Sequence, residues 1–157
     1  MSSVSLQRSD SPKTTRALGE RLGAFLGAGD VVLLSGELGA GKTTFVQGLA
    51  RGLGYDGSVS SKSFVLLGEY LGRVRLYHAD LYRLENPEQV WELGLGEISR
   101  DGVLAVEWPE RAPEVLPDEH LIVQFTVTSE NTRKVTFEAR GPRAKEIARA
   151  MNSEAND

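Results

Sequence analysis

Hydrophobic residues along the chain follow the alternating pattern of helices and buried strands. Apolar side chains recur at helical spacing within 18–26 and again within 46–53. Between these segments, the continuous apolar run 31–34 lies between glycines and predicts a short buried strand. A second run of this kind, 103–106, predicts another buried strand. The chain therefore combines helices and strands in one domain.

Two pairs of segments predict β-hairpins. The segments 64–70 and 73–79 are separated by only two residues, which suits a tight turn. Later in the chain, 120–128 and 133–139 alternate enough to form a second hairpin. We expect these strands to extend the sheet that contains the two buried runs.

Capping signals mark the helix starts. Ser11 precedes Pro12, and Asn86 is followed three residues later by Gln89, so both segments are typical of helix N-termini. Pro142 opens a last short helix. The remaining ends, 1–9 and 152–157, are predicted to be loose tails.

Composition narrows the class of protein. The 157 residues include 40% hydrophobic and 25% charged residues, which is typical of a single globular domain. The absence of cysteine excludes disulfides, thiolate metal sites and cysteine nucleophiles. We find no signal peptide and no apolar run near the ~20 residues of a membrane span, so we expect a cytoplasmic protein. The net charge of −4 disfavours direct tight binding of tRNA or DNA.

The segment 36–43 matches G-x-x-x-x-G-K-[ST], a phosphate-binding loop, without a mismatch. Its glycines let backbone N–H groups point inward at phosphate, and the following helix adds its positive N-terminal end. Lys42 is expected to reach the β- and γ-phosphates, and Thr43 to ligate Mg²⁺. A buried strand before the loop and a helix after it supply the required context. We therefore predict an α/β fold of the P-loop NTPase kind, a single domain with a mixed, largely parallel sheet flanked by helices.

Two acids stand at the ends of predicted strands, where such a loop needs a carboxylate near the metal. Glu107 ends the buried run 103–106 and is assigned to the Mg²⁺ shell, directly or through water. Asp80 ends an alternating segment that places Val74, Leu76, His78 and Asp80 on one face. Asp80 is the candidate for orienting the attacking water or for a second contact to the metal.

Two neighbours of these acids have less decisive roles. A single histidine on a strand is more often structural than functional, and this interpretation is preferred for His78. Trp108 either covers the edge of the sheet or offers a surface to a partner.

The nucleotide is predicted to be ATP. GTPases read guanine with an Asn/Thr-Lys-x-Asp segment, and the nearest similar segment, 131–134, lacks that pattern. ATP therefore follows by elimination.

Three segments of the chain form a specific combination: GELGAGKTT over 36–44, HADLYRL over 78–84 and EWPE over 107–110. Together they resemble the bacterial TsaE family, formerly called YjeE. The similarity covers roughly residues 12–140, and the last two segments are far more specific than the phosphate loop.

The resemblance implies a function in tRNA modification. The family is required for threonylcarbamoylation of adenosine 37 in tRNAs that read ANN codons. Its members do not make the modification themselves but bind a TsaB–TsaD complex, where their ATP hydrolysis supports repeated turnover. This chain is thus expected to meet tRNA indirectly.

The resemblance also assigns roles to residues. Lys42, Asp80 and Glu107 are implied to be catalytic, and Thr43, Glu107 and Ser63 to lie at the metal. Arg133 corresponds to an arginine near the nucleotide, and residues 12–15 to the border of the adenine. The full set expected to contact the nucleotide is Pro12, Glu37, Leu38, Gly39, Ala40, Gly41, Lys42, Thr43, Thr44 and Arg133.

One segment departs from the family pattern. The family usually has Ser-Pro-Thr followed by Phe or Tyr, whereas this chain has Ser61, Lys62, Ser63 and Phe64. Ser63 keeps a hydroxyl, and Lys62 restores a backbone N–H and frees φ. The loop is therefore expected to be less preorganised.

Two other functions remain open from the sequence. Asp80 and Arg83 faintly resemble the acid and arginine of nucleoside kinases, although an arginine-rich lid is missing. A nucleotide switch that binds ATP without hydrolysing it is the other alternative.

Overall fold

The computed structural model describes residues 3–37, 39–57 and 67–155 of the chain. Its strands are Ser3–Ser9 (β1), Val31–Gly36 (β2), Leu67–Tyr70 (β3), Arg75–Asp80 (β4), Gly102–Glu107 (β5), His120–Val127 (β6) and Arg133–Arg140 (β7). Its α-helices are Pro12–Phe25 (α1), Lys42–Gly52 (α2), Pro87–Leu93 (α3), Leu95–Ile98 (α4) and Pro142–Ala155 (α5). Within these ranges, every helix is too short or too polar to span a bilayer.

One sheet runs through the described ranges, with the strand order β1-β7-β6-β2-β5-β4-β3. The four central strands β6, β2, β5 and β4 are parallel, while β3 and β7 are antiparallel to their neighbours. The predicted fold class, an α/β domain with a mixed and largely parallel sheet, is confirmed. The strand before the phosphate loop, β2, lies in the middle of this sheet.

Both faces of the sheet are buried, which explains the continuous apolar runs of β2 and β5. Val32 and Leu34 face the core beneath α1, α2 and α5. Val31 and Leu33 face the opposite core, which α3, α4 and the turns after β5 complete.

The two predicted hairpins form antiparallel pairs. Leu67–Tyr70 pairs with Leu76–Ala79, and β6 pairs with β7 from His120 to Val127. The predicted strand residues 64–66 lie outside the described ranges. The predicted caps are also present: the Ser11 side chain accepts the Thr14 N–H, and the Asn86 side chain accepts the Glu88 N–H.

The prediction of loose tails is wrong at both described ends. Residues 3–9 form β1, which pairs antiparallel with β7 from Ser3↔Ala139 to Ser9↔Arg133. The physical reason is that β7 would otherwise expose a full row of backbone donors and acceptors at the sheet edge. The last helix continues past 152 to Ala155, and 156–157 lie outside the described ranges.

Helices α1 and α2 pack with their backbones nearly in contact. A Cβ added to Gly48 would lie 2.0 Å from the Arg16 carbonyl oxygen, and one added to Gly19 would lie 2.2 Å from the Phe45 carbonyl oxygen. Gly23 and Gly52 make the same approach further along the two helices. This close packing fixes the direction of α2, whose first turn follows the phosphate loop.

Gly48→Ala is therefore expected to lower the free energy of unfolding by about 2–3 kcal/mol, because the added methyl group forces the helices apart. Urea unfolding followed by circular dichroism measures the change. Gly96→Ala is the matched control, since a Cβ there meets nothing within 4 Å. Equal unfolding midpoints for the two variants would contradict the packing argument.

Candidate functional site

The predicted phosphate loop connects the end of β2 at Gly36 to the start of α2 at Lys42. Gly39 and Gly41 have φ angles of 81° and 105°, a left-handed conformation that L side chains rarely adopt. Gly41 caps α2 without a side-chain hydrogen bond to the first turn. The N–H groups of that turn thus remain uncapped by a side chain and suit an anion.

The rest of the loop is tightly turned. The Ala40 N–H donates to the Glu37 carbonyl at 3.0 Å, and Ala40 is fully buried. Thr43 and Thr44 belong to the first turn of α2. Leu38 and Ser63, two residues predicted to contact the nucleotide or the metal, lie outside the described ranges.

Lys42 points into the loop and is 4% exposed. Its Nζ donates to the Gly36 carbonyl at 2.6 Å and lies 3.3 Å from the centroid of the Trp108 ring. Burial lowers the pKa of Lys42, and the charges of Glu107, Glu110 and Asp80 oppose that shift. None of the ion pairs among the described residues involves Lys42, so a phosphate group would supply a negative charge to this buried ammonium at short range.

The two predicted acids come together at the ends of neighbouring strands. Asp80 of β4 and Glu107 of β5 are partners in the parallel register. The Thr43 hydroxyl donates to Glu107 Oε1 at 3.4 Å. Because this contact is long, the Thr43 hydroxyl oxygen and Glu107 Oε1 can each bind another group. β2, β5 and β4 are parallel neighbours, so their carboxyl ends place these groups beside the loop.

This donor set fits Mg²⁺. A threonine hydroxyl and two carboxylates are hard oxygen ligands of the kind Mg²⁺ prefers. In the described part of the chain, no three His, Cys, Asp or Glu side chains cluster as a metal-binding group. Mg²⁺ usually takes one or two protein carboxylates and completes its shell with water and substrate phosphates.

Asp80 lies at the rim of this cluster. Its Oδ1 accepts the Tyr82 backbone N–H at 3.0 Å. Burial raises the pKa of Asp80 and the nearby Glu107 charge adds to that rise, while the Tyr82 N–H, His78 and Lys42 oppose it. The ionised carboxylate is thus less favourable here than in water, which suits a group that accepts a proton or holds a water molecule.

Asp80→Asn is expected to make the protein more stable at neutral pH. Because the folded-state pKa lies above the unfolded value of about 3.9, the native state binds more protons between the two pKa values. The contribution of Asp80 to stability therefore falls as pH rises through that window. The gain from Asp80→Asn should be present at pH 7 and vanish below about pH 4.

Urea unfolding at several pH values measures this, with the exposed Asp118→Asn as control. A less stable Asp80→Asn protein at pH 7 would contradict the burial argument.

His78, for which the sequence favoured a structural role, contacts Glu107, a partner that the sequence did not indicate. Its Nε2 lies 2.6 Å from Glu107 Oε2, and the imidazole is fully buried. The HxD spacing put His78 on the face of Asp80, as predicted. Only the β4–β5 register, which spacing within one strand cannot supply, brings it to Glu107.

Trp108 contacts the phosphate loop instead of covering a sheet edge. It has a φ of 59°, which is unusual for a bulky residue, and its ring lies against Lys42. The Tyr82 ring packs on Trp108 with centroids 5.0 Å apart. The EWPE and HADLYRL segments therefore meet over the loop lysine.

Of the two peripheral residues in the predicted set, Arg133 reaches the loop and Pro12 begins the helix whose first turn borders it. The Arg133 guanidinium donates to the carbonyls of Ser129, Glu130 and Thr132 and reaches the Gly39 carbonyl at 3.5 Å. Pro12 begins α1, whose first turn also carries Thr15. A Cβ on Gly41 would lie 3.5 Å from the Thr15 Cγ2, so this turn borders the loop.

The chain is similar to proteins of known families. The family described as threonylcarbamoyl adenosine biosynthesis protein TsaE matches residues 9–135. The TsaE protein of Bacillus subtilis is 38% identical over 151 residues, covering 95% of this chain and 94% of the relative. That of Treponema pallidum is 40% identical over 129 residues, covering 82% and 96%. That of Streptomyces coelicolor is 41% identical over 136 residues, covering 82% and 92%.

The fold agrees with these relationships. The crystal structure of Bacillus subtilis YdiB superposes with a TM-score of 0.80 at 33% identity, covering 100% of this chain and 99% of that one. Together with the match over 9–135, this similarity shows that the chain belongs to the TsaE family of threonylcarbamoyladenosine biosynthesis proteins.

Proposed function

We propose that this chain is a Mg²⁺-dependent ATPase that acts in the cytoplasm with a TsaB–TsaD-type complex. In this proposal, ATP hydrolysis supports threonylcarbamoylation of adenosine 37 in ANN-decoding tRNAs, while the partners hold the tRNA. The catalytic residues are Lys42, Asp80 and Glu107.

One observation carries the proposal. A phosphate loop, its buried lysine, a threonine hydroxyl and two strand-end carboxylates lie together at the carboxyl ends of β2, β5 and β4. Each component is one that phosphoryl transfer from a nucleotide requires.

The residues divide the chemistry as follows. Lys42 and the uncapped N–H groups of α2 hold the β- and γ-phosphates and stabilise the charge that grows on them during in-line attack. Thr43 and Glu107 hold Mg²⁺, which supplies further positive charge to the phosphate oxygens when bound. Asp80 orients the attacking water, since its carboxylate stands beside Glu107 and favours accepting a proton.

Two further observations support a role within a complex. The family description names threonylcarbamoyl adenosine biosynthesis. The chain itself has a net charge of −4, which does not favour direct binding of the negatively charged tRNA backbone. Protein partners that carry the tRNA resolve this mismatch.

Single-turnover hydrolysis of γ-labelled ATP tests the proposal, with the purified chain alone and with the TsaB–TsaD complex. We expect slow release of inorganic phosphate by the chain, Mg²⁺ dependence and faster release with the complex. Label transferred to an added nucleoside would identify a kinase instead. ATP bound but intact after hours with the complex present would identify a nucleotide switch.

A further inference from the structure

His78 occupies an unusual position for a histidine with no chemical role. It lies in the middle of β4, an internal strand, with none of its surface exposed. Leu76 on the same face of β4 packs in the apolar core beneath α1 and α2. An imidazole buried in such surroundings costs free energy unless its polar atoms find partners.

The partner it finds is Glu107. His78 is opposite Ala105 in the β4–β5 register, and Glu107 is two residues further along β5 on the same face. Such diagonal neighbours are within reach only of long side chains. The imidazole spans this gap with Nε2 2.6 Å from Glu107 Oε2.

The two oxygens of Glu107 therefore face different groups. Oε2 is next to His78, and Oε1 is next to the Thr43 hydroxyl at 3.4 Å. A carboxylate held at one oxygen has a fixed plane, so the direction of its other oxygen is fixed too.

The surroundings of the other ring nitrogen of His78 indicate which nitrogen carries the imidazole proton. Nδ1 is buried and has no hydrogen-bond partner among the described residues. An ionised Glu107 can only accept, so a neutral imidazole must carry its proton on Nε2 and donate it to Oε2. This tautomer leaves Nδ1 as a bare acceptor, a cost that the short bond to Glu107 offsets.

We propose that His78 is a positioning residue for Glu107: its Nε2–H holds Oε2 so that Oε1 stays directed at Thr43 and the magnesium site. The inference rests on the proposed function, since it assigns His78 to the metal shell of that site. Without this donor, the carboxylate is free to turn toward Lys42, whose ammonium already senses its charge.

Two isosteric variants test the position of the donor. His78→Gln places an amide N–H close to the position of Nε2. His78→Asn places an amide N–H close to the position of Nδ1, and the asparagine side chain is too short to reach Glu107. The readout is the Mg²⁺ concentration that half-maximally tightens binding of a fluorescent ATP analogue. We expect this concentration to rise about 10–100-fold in His78→Asn and to stay near wild type in His78→Gln, as for the loss of other groups that orient a metal ligand.

The comparison separates positioning from packing. Both variants replace the imidazole ring with an amide side chain. If His78 has only a structural role, the Mg²⁺ requirement should therefore be similar in the two variants. Equal Mg²⁺ requirements in the two variants, whether raised or unchanged, would overturn the proposal. Rescue by glutamine alone supports it.

Imidazole NMR of the unmodified protein gives a second test that needs no variant. The chain has two histidines. His120 is an internal reference, because its Nδ1 lies 2.8 Å from the Pro117 carbonyl, an acceptor, and must donate. We expect opposite tautomers: the proton on Nδ1 in His120 and on Nε2 in His78. Long-range ¹H–¹⁵N correlations that show His78 without a proton on Nε2 would overturn the proposal.

The failures of the two proposals are distinguishable. If the unmodified chain does not bind the ATP analogue, or binds it without regard to Mg²⁺, the proposed function fails. If it binds with a clear Mg²⁺ requirement that both His78 variants share, only the role of His78 fails.

Discussion

Replacing Lys42 with alanine is expected to lower phosphate release from ATP about 10²–10³-fold, since the lysine stabilises charge that develops on the transferred phosphate. The side chain is nearly buried between the Gly36 carbonyl and the Trp108 ring, so the truncation also leaves a gap beside the loop. Single-turnover phosphate release measures the effect on chemistry. Circular dichroism establishes that the variant is folded.

Two further lysine variants sharpen this result. Lys145→Ala on α5 removes a positive charge remote from the loop and should leave hydrolysis unchanged. Lys42→Arg keeps the charge at the site but replaces the compact ammonium that donates to the Gly36 carbonyl with a planar, more diffuse guanidinium, so we expect little recovery. Wild-type release by Lys42→Ala would show that the loop does not perform the chemistry.

The second large effect is expected for Glu107→Gln, which removes a charge at constant size. The Mg²⁺ concentration needed for half-maximal hydrolysis should rise by about tenfold or more, because the metal loses an anionic ligand or an anion that orients its water. Mg²⁺ titrations of phosphate release and of nucleotide binding give two independent measurements of the shift.

Glu110→Gln provides the matched control for Glu107→Gln. Glu110 is exposed and also acts electrostatically on Lys42, but it lies in the turn after β5 and not at the strand end. If its neutralisation shifts the Mg²⁺ requirement as much as Glu107→Gln does, the effect is one of net charge, and Glu107 has no specific place at the metal.

The central part of the fold was predictable because local signals and tertiary structure agree there. The run 31–34, the glycine-rich loop and the helix after it are each encoded within a few residues. The two acids followed from the same reasoning, since parallel strands bring their carboxyl ends to one edge. Strand-end positions therefore predicted that Asp80 and Glu107 lie side by side, and the structure places Glu107 beside Thr43.

The features that the sequence did not predict depend on pairing between distant segments. Residues 3–9 were predicted to be a tail, yet they form a strand because they pair with β7, which lies more than a hundred residues later in the sequence. His78 contacts Glu107 because of the register between β4 and β5. Trp108 contacts Lys42 because of the left-handed backbone conformation directly after Glu107. Periodicity within one segment contains no information on these partners.

The edge strand β1 has a practical consequence for handling the protein. β1 is three strands away from β2, yet its last residue, Ser9, contacts two groups that border the phosphate loop. The Ser9 hydroxyl lies 2.6 Å from the hydroxyl of Thr15, which borders Gly41. Ser9 also pairs with Arg133, whose guanidinium reaches the Gly39 carbonyl. Trimming the first nine residues, or fusing a bulky purification tag there, would disturb supports on two sides of the phosphate loop. It would also uncover the backbone of β7 and invite aggregation. Tags are therefore better attached after α5.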